Sequence, residues 1–84
     1  MNTEEKVKFK EKFITRFLFI KGISKEKMDA SKHWRKDFPL SRDECSELIE
    51  FGVEDLIATH GMNRSGAESE VSWFLIEVGF KYDQ

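Results

Sequence analysis

The sequence carries one cysteine, Cys45, one proline, Pro39, and two histidines, His33 and His60. A single thiol closes no disulfide within the chain. Residues 1–12 mix acids with lysines and hold no apolar stretch, so they do not read as a secretory signal. A reducing, cytoplasmic setting is the expectation. One cysteine and two histidines, widely spaced, offer no metal-ligand pattern, and neither a metal nor a cofactor is expected. The longest apolar runs are four residues, at 17–20 and 73–76. A membrane helix needs ~20, so no membrane partner is expected. There is no internal repeat and no low-complexity segment.

Catalytic sets are missing too. Cys45 and His60 are the one nucleophile–base pair that comes to mind. Both fall on the apolar side of the same helical pattern, fifteen residues apart. A straight helix separates them by about 22 Å, which rules out a hydrogen bond within one chain. Cys45 reads instead as a small buried residue, and His60 as a cation suited to a helix C-terminus. The segment 61–66 contains glycines and Arg64 but lacks the lysine and spacing of a phosphate loop, and a capped turn is the plainer reading. The expectation is a protein that is not an enzyme.

What is present is charge and phenylalanine. Of 84 residues, 36% are charged and 39% hydrophobic, and eight are phenylalanine. That apolar content is too high for a disordered tail, and the length suits one domain spanning 1–84. The pattern predicts an all-α, compact four-helix domain, with helices at about 3–21, 24–36, 42–60 and 65–80. In the first, Thr3 is the expected cap, and Val7, Phe9, Phe13, Ile14, Phe17, Leu18 and Ile20 share one half of the wheel, with Phe19 pointing away. Gly22 stops it and Ser24 caps the second, whose thin stripe is Ile23, Lys27, Ala30 and Trp34. Ser41 and Glu44 make a capping box for the third, with Leu40 stapled to Cys45. Its apolar phase runs through Gly52 without slipping, although that glycine costs roughly 1 kcal/mol relative to alanine and marks a candidate kink. Ser65 and Glu68 suggest a second box. The last helix carries two nearly opposite apolar faces, so it is expected to be central or to meet another chain; a strand at 71–78 is the competing reading.

Charge is segregated along the chain. Residues 1–42 hold 12 Lys/Arg against 6 Asp/Glu, a net of +6; residues 43–84 hold 2 against 10, a net of −8. Asp43, Glu44, Glu47, Glu50, Glu54 and Asp55 line the polar side of the third helix, and Phe51 projects among them. Only Asp43 and Glu44 sit where the helix dipole favours acids. The others repel one another by a few tenths of a kcal/mol per pair. Three explanations compete: a solvated face, internal pairing with the basic first half, or a surface for a basic partner.

Two further surfaces follow. Phe19, Trp73, Ile76 and Phe80 are candidates for an aromatic interface, because exposed tryptophan and phenylalanine are common anchors. Lys25, Lys27, Lys32 and Arg35 form a basic stretch with a helix-turn-helix outline, which nucleic acid would fit. Against it, Leu18 sits where close helix crossing needs a small residue, and the acidic half repels a duplex. The reading is therefore a small accessory protein that binds another protein with a basic surface, as an adaptor or inhibitor, or binds a second copy of itself. A nucleic-acid-binding regulator is the alternative.

Overall fold

A computed structural model of the protein describes residues 2–78. The fold is all-α, with five helices among these residues: α1 (Thr3–Lys21), α2 (Lys25–Ala30), α3 (Trp34–Asp37), α4 (Arg42–His60) and α5 (Arg64–Val78). The expected second helix is broken in two. On a continuous helix Met28 and Trp34, six residues apart, would point about 120° apart. The break at 31–33 lets Met28 bury and swings Trp34 onto Phe17, with ring centroids 5.5 Å apart. Ser31 secures the bend, its hydroxyl donating to Asp37 at 2.5 Å. The stripe expected at Ile23, Lys27, Ala30 and Trp34 therefore does not form; Lys27 and Ala30 are exposed.

Caps explain the remaining boundaries. Asn2, not Thr3, opens α1: its side chain accepts from the Glu5 N–H at 2.8 Å and Glu5 reaches back to the Asn2 N–H. Gly22 and Gly61 close α1 and α4 in the left-handed conformation, φ 67° and 63°, which L side chains adopt only at a cost. The Ser41–Glu44 box is present, and Leu40 and Cys45 are both buried in the core. α5 starts one residue earlier than expected, because Asn63 takes the cap: its Oδ1 accepts from the Gly66 N–H at 2.7 Å. Asparagine is as good a cap as serine, and a glycine one turn in leaves the acceptor unobstructed. Residues 71–78 are helical, which removes the strand alternative.

The core is built on phenylalanine. Phe9, Phe13 and Phe17, one turn apart on α1, are 3%, 0% and 0% exposed. Phe74 of α5 meets Phe9 edge-on at 4.9 Å and Phe13 at 6.0 Å. Such pairs add about 0.5–1.5 kcal/mol each beyond the area they bury. α4 lies against both α1 and α5. Both neighbours come close at Gly52, where an added Cβ would stand 2.9 Å from Phe13 Cε2 and 3.0 Å from Val71 Cγ2. The glycine is there for contact.

α1 and α4 run antiparallel, tied by Lys21–Glu44 at 2.9 Å, Lys12–Asp55 at 3.2 Å and Glu5–His60 at 3.1 Å, the last an ion pair when the imidazole is protonated. These rungs fix which residues of the two helices stand level.

The last helix is not the central one. It buries Ala67, Val71, Phe74, Leu75 and Val78, while Trp73 and Ile76 are 65% and 70% exposed. Val7, also expected inside, is exposed as well, and so is Ile57 of the α4 apolar phase. Each sits at the edge of its helix's apolar arc, where α1 and α4 have no neighbour to cover it.

Candidate interaction groove

Antiparallel packing of α1 on α4 brings two expected residues together: Phe19, which points off the α1 core stripe, and Phe51, which stands among the acids of α4. Between them lies Arg16. Its guanidinium is 5.0 Å from the Phe19 ring centroid and 5.5 Å from that of Phe51. A cation held between two rings gains about 0.5–1 kcal/mol per exposed contact. Phe19 is nonetheless 73% exposed. The three side chains form a seam along the α1–α4 boundary.

A hollow opens on each side of this seam. The α1 side, about 610 Å³, is walled by Lys8, Glu11, Lys12 and Thr15. The α4 side, about 400 Å³, is walled by Glu47, Glu50 and Glu54. Both share Arg16, Phe19 and Phe51. The groove is thus an apolar, aromatic floor between a mainly cationic wall and an anionic one. Arg16 is a member that the sequence alone does not single out. Its three-residue spacing from Phe19 was a readable signal; its contact with Phe51, 35 positions away, was not.

The acidic stripe divides into used and unused charge. Asp55 and Glu44 are spent on α1, and Glu50 is held by Arg64 of α5 at 2.7 Å. The Glu44 carboxyl is held below its ordinary pKa, first by the Ser41 backbone N–H and then by Lys21. Glu50, and less strongly Glu68, raise the Arg64 pKa. Arg64 therefore serves the junction of α4 with α5; residues 61–63 form the connection, and 64–66 are already the first turn of α5, capped by Asn63. Among the described residues Asp43, Glu47 and Glu54 make no ion pair. Internal pairing accounts for half the stripe. The other half lies open, two of its members in the groove.

The other candidates are dispersed. Trp73 and Ile76 form an exposed pair on α5, but neither lines the groove that Phe19 belongs to. The expected single patch is therefore split in two; Phe80 lies outside the described residues. Lys25 pairs with Asp29 at 3.2 Å, and Lys27 sits 5.9 Å above the Phe38 ring. Arg35 stacks on Trp34 at 4.5 Å and its Nε donates to the Val78 carbonyl. Lys32 is exposed in the turn after α2. With α2 only six residues long, the helix-turn-helix outline is not realised, because no second helix long enough to lie in a groove of DNA exists at this place.

Cys45 is buried, and that burial pushes its thiol pKa up, away from the thiolate a nucleophile needs. His60 is at the far end of α4, against Glu5. Among the described residues no group of three His, Cys, Asp or Glu side chains could hold a metal, and no helix is long and apolar enough to cross a membrane.

Compared with protein-family models, with curated proteins and with solved structures, the chain matches none.

Proposed function

We propose that this chain is a non-catalytic protein-binding module, an adaptor or inhibitor, that grips a partner in the α1–α4 groove. The observation that carries this reading is the seam: a phenylalanine ring 73% exposed, facing Phe51 across Arg16 and flanked by Glu47 and Glu54, which make no ion pair among the described residues. An exposed ring beside a preformed hollow is the usual form of an anchor site, since apolar burial supplies affinity while the charged wall supplies selection and speeds encounter. The hollows are of the size ligand-binding clefts have, but they are open and without convergent polar groups aimed at a reacting atom, which suits a side chain from a macromolecule better than a substrate.

The partner segment that fits the α4 side carries an apolar anchor next to lysine or arginine. A photo-reactive amino acid at Phe19, with the same probe at Lys32 as comparison, tests this in the cell. The expected result is a crosslink to protein from position 19, weakened by Glu47→Lys with Glu54→Lys. Crosslinks to nucleic acid from position 32, with none from position 19, would favour the basic stretch and defeat the reading.

A further inference from the structure

We infer that the α1–α4 groove takes a second copy of this chain, forming a dimer about a two-fold axis that runs along the seam. This rests on the groove being a protein-binding surface and names one occupant for it. A two-fold interface must be self-complementary: wherever one residue meets another, the reverse contact occurs as well. Few surfaces satisfy this electrostatically, because a patch of one sign meets itself. This groove does satisfy it. Its α1 wall presents Lys8, 3.9 Å from Glu4, and Lys12, 3.2 Å from Asp55, with Arg16 at the seam and Glu11 beside them, so the two lysines are shared between their own acids and the facing copy. Its α4 wall presents Glu47, Glu50 and Glu54. Between them lies the apolar floor.

Rotation about an axis along the seam lays α1 of one copy over α4 of the other, and the reverse. Heights along the helices are unchanged by that rotation, so the rungs within the monomer set the register between copies. Lys12 is paired with Asp55, so Lys12 of each copy stands level with Glu54 of the other. Arg16, one turn further along α1, stands level with Glu50, one turn back along α4. Phe19 and Phe51 meet their counterparts at the axis. The other in-plane axis, across the helices, would set lysine on lysine and glutamate on glutamate. Charge alone thus selects one of two arrangements. Occupied this way, the groove is closed to a basic partner until the copies separate.

Light scattering and sedimentation of the full chain at low and high salt test this with two charge-reversed variants. Glu47→Lys with Glu54→Lys makes both walls basic, and Lys8→Glu with Lys12→Glu makes both acidic. Wild type is expected to dimerise at low salt and dissociate as salt rises. Each variant alone is expected to lose more than about tenfold in self-affinity, because like charges then face each other. Mixed in equal amounts, the two variants are expected to form a heterodimer, a rescue that misfolded proteins cannot produce. Phe19→Ser, at a side chain with no part in the core, is expected to weaken the wild-type dimer as well. A wild type that stays monomeric at low salt overturns the inference. So does a dimer indifferent to these substitutions, or variants that do not associate when mixed. A monomer that still crosslinks to another protein from position 19 leaves the proposed function standing without the dimer.

Discussion

Replacing Gly52 with alanine sets two physical effects against each other. In a helix interior alanine is favoured over glycine by about 1 kcal/mol, because glycine loses more backbone freedom on folding. If Gly52 were merely tolerated in α4, Gly52→Ala would stabilise the protein. The surroundings argue the reverse. The new methyl would lie 2.9 Å from Phe13 Cε2, 3.0 Å from Val71 Cγ2 and 3.3 Å from Phe9 Cζ. Real carbon contacts settle near 3.5–4.0 Å, so three neighbours on two helices must all retreat. Phe13 and Val71 are wholly buried, and Phe13 is braced by the rings of Phe9 and Phe74. Overpacking of this kind costs about 1–3 kcal/mol. Against the propensity gain, the expected net loss is about 1 kcal/mol, or ~4–8 °C in melting temperature for a domain of this size. Thermal and urea unfolding followed by far-ultraviolet circular dichroism measure it. A Gly52→Ala protein as stable as wild type, or more so, would refute the claim that close approach of α1 and α5 requires this glycine. The cost is expected to shrink when Phe13→Leu makes room, since residues in contact do not act additively.

Glu44→Gln keeps an acceptor for the Ser41 N–H but gives up the charge that Lys21 sees. Because the folded-state pKa of Glu44 is lowered, its contribution is present above the unfolded glutamate range and fades as pH falls through the depressed value. The variant is expected to be roughly 0.5–1 kcal/mol less stable at neutral pH and to converge with wild type in acid, as read from urea unfolding across pH. Trp73→Gln is expected to leave stability within about 0.5 kcal/mol, and its neighbour Phe74→Ala to lose about 3–5 kcal/mol. Equal losses at the two positions would mean that Trp73 is core. Asn63→Ala is expected to cost ~1 kcal/mol, and Ser65→Ala almost nothing, since only Asn63 caps α5; the two melting temperatures decide it.

Much of this architecture was legible in the residues themselves. The glycines at 22 and 61, the Ser41–Glu44 box and the unbroken apolar phase through Gly52 are local signals, carried by a few neighbouring side chains. They set the ends of α1 and α4 correctly. The opposed charges of the two halves, and Phe51 standing among acids, were visible for the same reason. Two errors were also local. Thr3 and Ser65 were each passed over for an asparagine nearby that caps equally well, so the choice between neighbours fell to the detailed path of the chain.

What tertiary structure alone decided involves distance along the sequence. Helix periodicity says which face is apolar, but not whether another helix arrives to cover it. Trp73 and Ile76 are left exposed while Phe74 and Leu75 are buried because α4 and α1 cover only one side of α5. Residues 24–36 break because Met28 and Trp34 both find core partners, and one straight helix cannot point them the same way. The groove exists because antiparallel packing sets Arg16 and Phe19 beside Phe51, and spends some acids of the stripe on α1 and α5 while leaving Glu47 and Glu54 open. Periodicity acts within a helix; the pairing of charges and rings across helices depends on register, which only the packed chain supplies.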